Sequence, residues 1–198
     1  MRLFSYVVDH DEGHAPNPYG GLCTLCRCKF REAPGAYKNV VELAQPGDWV
    51  VGTGGANPRK STGPRKLVYA MQVEKKITRK QYYAGSQFKS KKPQPNGNYD
   101  QQQGDNETPK NSFEEQQQFV LISRHRFYYF GRNAIRIPLK TFPGLEKKGR
   151  GFKYKQFDSA YVARFVKWIT KHKPGKNGEP CMKGLPAGRK TKVCKSSC

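Results

Sequence analysis

A long polar segment divides this chain into two parts, and those parts have to supply one hydrophobic core between them. Residues 86–118, SQFKSKKPQPNGNYDQQQGDNETPKNSFEEQQQ, are rich in Gln, Asn, Pro and Gly. Such a segment buries too little apolar surface to offset the loss of chain entropy, so it predicts a long loop or a disordered insertion. Because 198 residues suffice for one well-cored domain, we expect a single domain over residues 1–185 and a basic tail over 186–198.

The apolar runs on both sides of the insertion predict mainly β-strands. Four runs have the length and the β-branched and aromatic content of strands: 3–10, 47–55, 66–78 and 119–131. CTLCRCKFRE, residues 23–32, predicts a short N-terminal helix capped by Thr24. Residues 158–175 predict a C-terminal helix, in which Asp158 or Ser159 precedes apolar side chains at spacings of three and four. The expected fold class is α+β.

The chain carries a formal net charge of +22, and that charge is unevenly distributed. Residues 1–60 contain seven Lys/Arg and six Asp/Glu, so nearly all of the excess lies after residue 60. An excess of this size indicates a polyanionic partner, because basic groups near phosphates release condensed counterions on binding. We therefore expect a nucleic acid as the partner, with DNA favoured over RNA. A purely solubilising surface would mix both signs of charge.

A membrane is a weaker candidate for the partner. The sequence contains no basic amphipathic helix with a broad exposed apolar side. It also contains no stretch that approaches the ~20 consecutive apolar residues of a membrane-spanning helix. The first residues, MRLFSYVVDH, lack the apolar run of a secretory signal. These patterns predict an intracellular, cytoplasmic protein and leave its oligomeric state open.

Acidic residues and histidines cluster directly after the first predicted strand. The cluster contains Asp9, His10, Asp11, Glu12 and His14. Carboxylate oxygens suit Mg²⁺ or Mn²⁺, and one carboxylate can also act as a base or accept a hydrogen bond from a nucleobase. The alternative is an acidic turn whose side chains bond to the local backbone. Since alternation places Asp9 and Asp11 opposite His10, the whole cluster does not converge on one point.

The turn APNPYGGLCT is the strongest candidate for contact with a ligand. Gly20 and Gly21 let the backbone approach a ligand closely or adopt positive φ. The predicted helix start at Thr24 would leave free N–H groups that favour a phosphate. Asn17 can read a base edge through two hydrogen bonds, or it can simply cap the turn. No Walker or dinucleotide-binding pattern is present.

Six cysteines lie in two clusters, at 23, 26 and 28 and at 181, 194 and 198. In an intracellular protein they are by default free thiols or metal ligands. A four-ligand zinc site would require Cys23, Cys26, Cys28 and Cys181. Burial in the core is the commoner outcome for such cysteines, and we expect no metal. Cys23 is also a candidate nucleophile, because a helix start near arginines lowers the pKa of a thiol, and His14 is the nearest histidine.

The run SRHRFYYFGRN alternates basic and aromatic side chains. As a single strand it would place on one face Arg124, Arg126, Tyr128 and Phe130. Guanidinium groups that hold phosphates, together with rings that stack on bases, are typical of surfaces that bind a nucleic-acid strand. One face has to be core, and we expect the arginine face to meet the ligand. Trp49 is a further candidate for a wall of the pocket, although such a residue more often packs in the core.

Cationic side chains after residue 140 form the expected contact surface for the phosphate backbone. They come from EKKGRGFKYKQF and from one face of the last helix. Contact with phosphates that does not depend on the base is the natural function of such a surface. Its members are Lys147, Lys148, Arg150, Lys153, Arg164, Lys167 and Lys171.

Several motifs, taken in their order along the chain, resemble the nucleotide modification associated domain, type 2. They are APNPYGGLCTLCRCK, GDWVVGTGG, KLVYAMQVEK, KKP, GDN, VLISRHRFYYFGRNAIRIP and a last F..WI helix. The resemblance runs from residue 2 to about 185, and within the insertion it covers only KKP (91–93) and GDN (104–106). It implies an association with DNA base modification in phages and mobile elements. It also adds Asp105 and Asn106 to the candidates for nucleotide binding.

The order of the predicted elements is similar to that of PUA/EVE/ASCH-type barrels. This second resemblance implies a small mixed, barrel-like β-sheet, with a short N-terminal helix and a C-terminal helix. In such barrels the mouth often holds a base. Because one fold can host many functions, the likeness bears on the architecture more than on the activity.

Together these patterns predict a nucleic-acid- or nucleotide-binding protein associated with DNA base modification. One nucleotide, modified or not, would enter a pocket near the end of the first strand, lined by Asn17, Gly20, Gly21, Cys23 and Thr24. One alternative is an enzyme that modifies or cleaves nucleotides through Asp9, Asp11 or Cys23, with His14 or His125 as the proton carrier. Another is a structural or interaction protein of a virus or mobile element. The sequence assigns no cofactor.

Overall fold

The computed structural model describes residues 1–26, 30–33, 36–57, 59–91 and 119–182. The strands are β1 (Leu3–Val8), β2 (Cys23–Leu25), β3 (Phe30–Ala33), β4 (Ala36–Asn39), β5 (Trp49–Gly54), β6 (Lys66–Gln72), β7 (Lys75–Thr78), β8 (Phe119–Ser123), β9 (Phe127–Tyr129), β10 (Ile135–Arg136), β11 (Phe152–Lys153) and β12 (Gly175–Lys176). The α-helices are α1 (Val40–Leu43), α2 (Arg79–Ala84) and α3 (Ser159–Ile169). Two 3₁₀ helices cover Ser86–Lys91 and Gly131–Asn133.

The larger sheet has the strand order β11–β1–β5–β6–β9–β12, and β10 also pairs with β6. β1 and β5 are parallel, as are β9 and β12, whereas the other neighbours are antiparallel. Every residue of β1 and of β5 is buried. Burial on both faces explains why these two strands are continuous apolar runs in the sequence instead of alternating ones.

Side chains pack on both faces of the larger sheet. A smaller sheet, in the order β2–β8–β7, shares a core with one face of the larger sheet. Phe4, Met71 and Leu121 are buried in this core. On the opposite face, Trp49 packs with Phe165 of α3. α2 and the first 3₁₀ helix cover the outer side of the smaller sheet. A separate hairpin pairs β3 with β4.

Two predicted strands are bent, and both bends lie at one corner where the two sheets meet. Residues 66–78 divide into β6 in the larger sheet and β7 in the smaller one, and residues 119–131 divide into β8 and β9 in the same way. Backbone hydrogen bonds from Gln72 to Arg126 and from Glu74 to Ile122 join the two bends. The prediction of two single strands was wrong, because a run of β-forming residues can continue through a bend and gives no sign of it.

The α+β class is confirmed, but the described strands form separate sheets and no closed barrel. The predicted helix over residues 23–32 is wrong, because Cys23–Leu25 form β2, which pairs antiparallel with β8. Thr24 lies opposite Ile122 in this pair and does not cap a helix. All three residues of β2 are buried, so tertiary pairing overrides the local capping pattern.

α3 corresponds to the predicted C-terminal helix. The Asp158 side chain caps it by accepting a hydrogen bond from the Tyr161 N–H at 2.6 Å. The helix ends at Ile169, earlier than predicted, and the chain then forms β12 beside β9. This return of the chain brings residues 174–176 to the corner between the two sheets, where they form one wall of a cleft.

Most of the predicted insertion, residues 92–118, lies outside the described residues, and so does the predicted tail over 186–198. The first six residues of the insertion differ from the expectation, since Ser86–Lys91 form a 3₁₀ helix in which Phe88 and Lys91 are buried. Within the described part of the chain, no helix has the length and apolar character required to cross a membrane.

Candidate functional site

A cleft with a volume of about 470 Å³ opens at the corner between the two sheets. We call it the corner cleft. Three segments line it: residues 18–21, the turn residues Arg124 and His125 with Phe127, and residues 174–176. Its volume falls within the range of small-molecule sites in proteins.

The first wall is the loop between Asn17 and Thr24. Asn17 and Thr24 close it through two backbone hydrogen bonds, of 2.9 and 3.0 Å. Gly20 and Gly21 lie at its tip with φ of +66° and +73°, a left-handed conformation that glycine adopts without steric penalty. Both glycines are exposed, and no described residue accepts a hydrogen bond from the N–H of either one. The loop therefore presents backbone donors at the mouth of the cleft.

Lys91 lies beneath this loop and fixes its shape. Only 2% of Lys91 is exposed. Its Nζ donates hydrogen bonds to Asn17 O at 2.9 Å, to Asn17 Oδ1 at 3.0 Å and to Leu22 O at 2.9 Å. An ammonium has three donors, so these bonds use all of them. Burial lowers the pKa of Lys91 to about 8, and the nearby Cys23 and Cys26 thiols offset part of that shift.

The second wall is the bend between β8 and β9, which Glu74 holds in place. The Glu74 Oε1 accepts hydrogen bonds from the N–H groups of His125 at 2.7 Å and Arg126 at 3.0 Å. Partial burial raises the pKa of Glu74, but the hydrogen bonds from this bend outweigh it and leave the pKa below its ordinary value. The bonded carboxylate holds the backbone that presents the exposed side chains of Arg124 and His125 at the cleft.

The third wall continues from β12 into residues 177–182. The Lys176 Nζ lies 5.0 Å from the ring centroid of Tyr19 and pairs with the Glu179 carboxylate. The Tyr19 hydroxyl donates to Glu179 Oε2 at 3.2 Å. The backbone of this segment bonds to the β9 region, since Asn177 N donates to Tyr129 O at 2.7 Å. Tyr19 and Lys176 therefore link the first wall to the third.

Asp11 anchors the end of this third segment from inside the fold. Its side chain is 1% exposed and accepts the Tyr129 hydroxyl at 2.5 Å and the Cys181 N–H at 3.2 Å. Burial raises the pKa of Asp11 to about 6, although these two hydrogen bonds and the charge of Arg132 act in the opposite direction. Asp11 does not line the corner cleft, and its carboxylate joins Tyr129 to the segment at Cys181.

The sequence of the chain matches the model of a known protein family. The sequence model of nucleotide modification associated domain 2 matches residues 1–118 and 107–185. The chain belongs to this family. No curated protein and no solved structure matched the chain.

Both matched regions of this nucleotide modification associated domain contribute to the corner cleft. The first supplies the loop at Gly20 and Gly21 together with Lys91, and the second supplies Arg124 and the wall at 174–176. Of the residues predicted to bind a nucleotide, Gly20, Gly21 and Arg124 come together here.

Asn17, Cys23 and Thr24, which were predicted to line the pocket of the domain, are buried in the fold instead. The Asn17 Oδ1 accepts hydrogen bonds from Lys91 and from the Tyr19 N–H, so this oxygen serves the loop and does not read a base. Thr24 is part of β2 and provides no helix N-terminus for a phosphate. Burial raises the pKa of the Cys23 thiol to about 12, against the smaller opposing effect of Lys91, so the predicted thiolate does not form at neutral pH.

Trp49, Tyr128 and Arg126 also do not line the cleft. Trp49 is fully buried and stacks on Tyr128, with ring centroids 6.2 Å apart. Arg126 is exposed, but its guanidinium donates to Gln72 Oε1 at 2.9 Å. The predicted single strand face does not form, because the bend separates Arg124 and Arg126 from β9. Arg124 lines the cleft, and so does Phe127, which was predicted on the other face.

Of the remaining acidic and histidine candidates, His125 lines the cleft, whereas Asp9 and His14 do not. Asp9 is partly exposed and lies beside Gly55, where an added Cβ would come within 2.9 Å of its Oδ1. His14 Nδ1 lies 3.7 Å from the Glu12 carboxylate. Asp105, Asn106 and Cys28 fall outside the described residues. Among the residues that are described, no group of three or more His, Cys, Asp or Glu is placed to hold a metal ion.

The cations predicted to contact the phosphate backbone divide into two groups. Lys147 and Lys153 bond to backbone carbonyls: Lys147 Nζ donates to carbonyls of its own loop, and Lys153 Nζ donates to Glu146 O at 2.6 Å. The others are exposed, and Arg164 lies over the Tyr161 ring at 5.8 Å. The exposed members are Lys148, Arg150, Arg164, Lys167 and Lys171.

Several residues of the site were not predicted from the sequence. Tyr19 and Lys91 lie inside motifs that had been singled out, NPYGG and KKP, so a signal was present without an assigned role. Lys176 had no signal, since it directly follows the helix predicted over residues 158–175. Glu74 lies in the middle of a predicted strand, where nothing marked the bend that it holds.

Proposed function

We propose that this nucleotide modification associated domain takes part in DNA base modification by binding DNA and holding one nucleotide, modified or not, in the corner cleft. The observation that carries the proposal is the composition of the cleft. It combines exposed backbone donors at Gly20 and Gly21 with the cationic side chains of Arg124 and Lys176 and with an aromatic ring at Tyr19.

Each part of the cleft matches one part of a nucleotide. Guanidinium and ammonium groups form charge-assisted hydrogen bonds with phosphate oxygens. The ring of Tyr19 offers apolar contact to a base, which stacks on aromatic side chains whatever its identity, and the buried Phe127 forms part of the apolar lining. A nucleotide that leaves a duplex loses a few kcal/mol of stacking and pairing, and contacts in the cleft have to return that free energy.

The exposed cations around the cleft favour a polymer over a free nucleotide. Residues 136–173 contain eleven Lys/Arg and two Asp/Glu. Lys171 and Lys173 directly precede the cleft wall at 174–176, and Lys167 lies one helical turn before Lys171. Phosphates on either side of a bound nucleotide would therefore meet further positive charge along α3. Contacts of this kind add affinity without reading sequence.

The direct test is a substitution of Arg124. We expect Arg124→Gln to weaken binding of deoxynucleoside 5′-monophosphates by about tenfold, because it removes one charge-assisted phosphate contact. Lys80→Gln is the matched control, since Lys80 is an exposed cation on α2 outside the cleft, and it should change the affinity less than twofold, or about 0.4 kcal/mol. Isothermal titration with each of the four nucleotides measures both variants. Equal nucleotide affinities in the two variants would show that the corner cleft is not the nucleotide-binding site.

A second test concerns the polymer. We expect the double variant Lys167→Gln, Lys171→Gln to bind single-stranded DNA of about 12 nucleotides more weakly, while its affinity for mononucleotides stays unchanged. The slope of log affinity against log salt should fall in magnitude by about one to two, because two fewer phosphates are neutralised. Fluorescence anisotropy at several salt concentrations gives this slope, and parallel titrations with RNA test the preference for DNA. Binding of wild-type protein that does not depend on salt would contradict the proposal.

A further inference from the structure

Lys91 is a buried cation without a carboxylate partner among the described residues. Its three hydrogen bonds all go to uncharged oxygen atoms, those of Asn17 and Leu22. The titratable groups whose charges affect its pKa are the thiols of Cys23 and Cys26, and burial keeps the Cys23 thiol protonated. The Tyr82 hydroxyl donates to the backbone oxygen of Lys91 at 3.3 Å. A buried ammonium is expensive to desolvate, and oxygen dipoles compensate that cost without cancelling the charge.

The Lys91 side chain passes directly under the tip of the loop. A Cβ added to Gly20 would lie 4.0 Å from Lys91 Cε and 3.7 Å from Ser90 Oγ. The positive charge is therefore separated from the cleft by little more than the backbone of the loop. Because this charge is shielded from water, it acts on a group in the cleft more strongly than an exposed lysine at the same distance would.

We infer that the tip of the loop, Gly20 and Gly21, is the anion subsite of the corner cleft, and that Lys91 is the residue that positions it and supplies its fixed positive charge. The ligand chemistry is a tetrahedral oxyanion that accepts hydrogen bonds from the two backbone N–H groups. Only the identification of this oxyanion as a nucleotide phosphate rests on the proposed function. The base would then occupy the part of the cleft beside Tyr19 and Phe127.

Three further features support the assignment of the anion subsite to Gly20 and Gly21. The N–H groups of Gly20 and Gly21 have no acceptor among the described residues, so they are available to an oxyanion. Arg124 lines the same cleft and adds positive charge from the second wall, whereas the charge of Lys176 on the third wall is paired with Glu179. The acceptor oxygen of Asn17 is buried and accepts from Lys91 and from the Tyr19 N–H, so it does not compete for the N–H groups of the two glycines.

The test uses sulfate as a probe, so it does not depend on any nucleotide. In ¹H–¹⁵N spectra of the wild-type protein, sulfate should shift the amide signals of Gly20 and Gly21 in a saturable manner. Lys91→Met should weaken sulfate binding at this site by at least about fivefold. Lys89→Met is the matched control, because Lys89 is an exposed cation in the same 3₁₀ helix, and it should leave the binding within about twofold of the wild type. Unshifted glycine signals in the wild type, or equal binding in both variants, would overturn the inference.

A pair of nucleotide ligands separates this inference from the proposed function. Lys91→Met should reduce the affinity for a deoxynucleoside 5′-monophosphate and leave the affinity for the deoxynucleoside unchanged, whereas a purely structural defect would reduce both. If sulfate shifts the two glycines but no nucleotide binds, the anion subsite stands and the proposed function fails. If nucleotides bind without any effect of sulfate on these glycines, the proposed function stands and the inference fails.

A pH titration of the wild-type protein decides the role of the charge even if Lys91→Met does not fold. Sulfate keeps its charge throughout the range, whereas Lys91, with its lowered pKa of about 8, loses its proton. Three titratable groups face Lys91: the Cys23 thiol, whose pKa is raised to about 12, the Cys26 thiol, and the Tyr82 hydroxyl, which donates to the Lys91 backbone oxygen at 3.3 Å. We expect the sulfate affinity to fall about fivefold or more between about pH 7 and about pH 9.5. An affinity that stays constant over this range would refute the role of Lys91.

Discussion

Replacing Gly131 with alanine is expected to destabilise the folded chain by about 4 kcal/mol or more, because the new side chain has no room. A Cβ at this position would lie 2.2 Å from Glu179 O and 2.8 Å from Glu179 C. Both are backbone atoms, so the segment that carries Glu179 would have to move as a whole. That movement would break the hydrogen bonds from Arg132 N to Glu179 O and from Asn177 N to Tyr129 O. Urea unfolding monitored by fluorescence measures the loss of stability.

Gly144→Ala is the matched control for Gly131→Ala. Both glycines have positive φ, +52° at Gly131 and +74° at Gly144, so both alanines carry the strain of a left-handed conformation. At Gly144, however, no atom lies within 4 Å of the added Cβ, and we expect a loss of only about 1 kcal/mol. Similar losses in the two variants would mean that residues 177–182 do not pack against β9 as described. In any folded fraction, Gly131→Ala should also weaken nucleotide binding, since Lys176 lies on the displaced segment.

The second large effect is a dependence of stability on pH that comes from Asp11. Burial raises its pKa to about 6 in the folded chain, from the ordinary value of 3.8. The folded state therefore binds this proton more tightly than the unfolded state. The stabilisation is fully present below the unfolded pKa and is lost as the pH rises through the folded pKa. Between about pH 3.5 and about pH 6.5, the free energy of unfolding should fall by about 3 kcal/mol through this group.

Asp11→Asn isolates the contribution, because asparagine is similar in shape and does not titrate. The difference in unfolding free energy between wild type and variant should change by about 3 kcal/mol across the same range, with the wild type losing stability as the pH rises. Tyr129→Phe serves as the second variant. The hydroxyl that it removes donates to Asp11 Oδ1 and lowers the pKa of the carboxyl, so the transition should move to higher pH. A difference that is flat with pH would show that Asp11 is not buried as described.

The sequence predicted those parts of the fold that depend on local patterns. The strand that became β1 and the helix that became α3 are examples, since an apolar run and a capped amphipathic repeat decide such elements within a few residues. The prediction of a helix over residues 23–32 was wrong. Thr24 and the residues after it carry a helix-capping pattern, but the pairing of β2 with β8 decides their conformation. The two bends at Glu74 and at 124–126 were missed for a related reason, because the residue pattern of a strand continues through each of them.

The candidate site shows the same division. Gly20 and Gly21 could be predicted, because a pair of glycines after prolines indicates a loop that lets a ligand approach the backbone. Arg124 could be predicted as a cation for phosphate, although its neighbours on the supposed strand, Tyr128 in particular, are in the core. Lys91 could not be assigned, because a lysine in a polar segment is normally exposed, and only its contacts with Asn17 and Leu22 show it as buried.

By itself, the sequence determined the α+β class, the membership of the family, the excess of positive charge and the loop at Gly20 and Gly21, because each of these depends on residue identity or on spacing within a short stretch. The tertiary structure decided which side chains share the corner cleft. Three segments line this cleft: residues 18–21, Arg124 and residues 174–176. The first and the last are more than a hundred residues apart in the sequence. They meet because the chain bends between β6 and β7 and between β8 and β9 at one corner, and because it returns beside β9 after α3. Such proximity depends on the packing of whole sheets, and no local pattern in the chain encodes it.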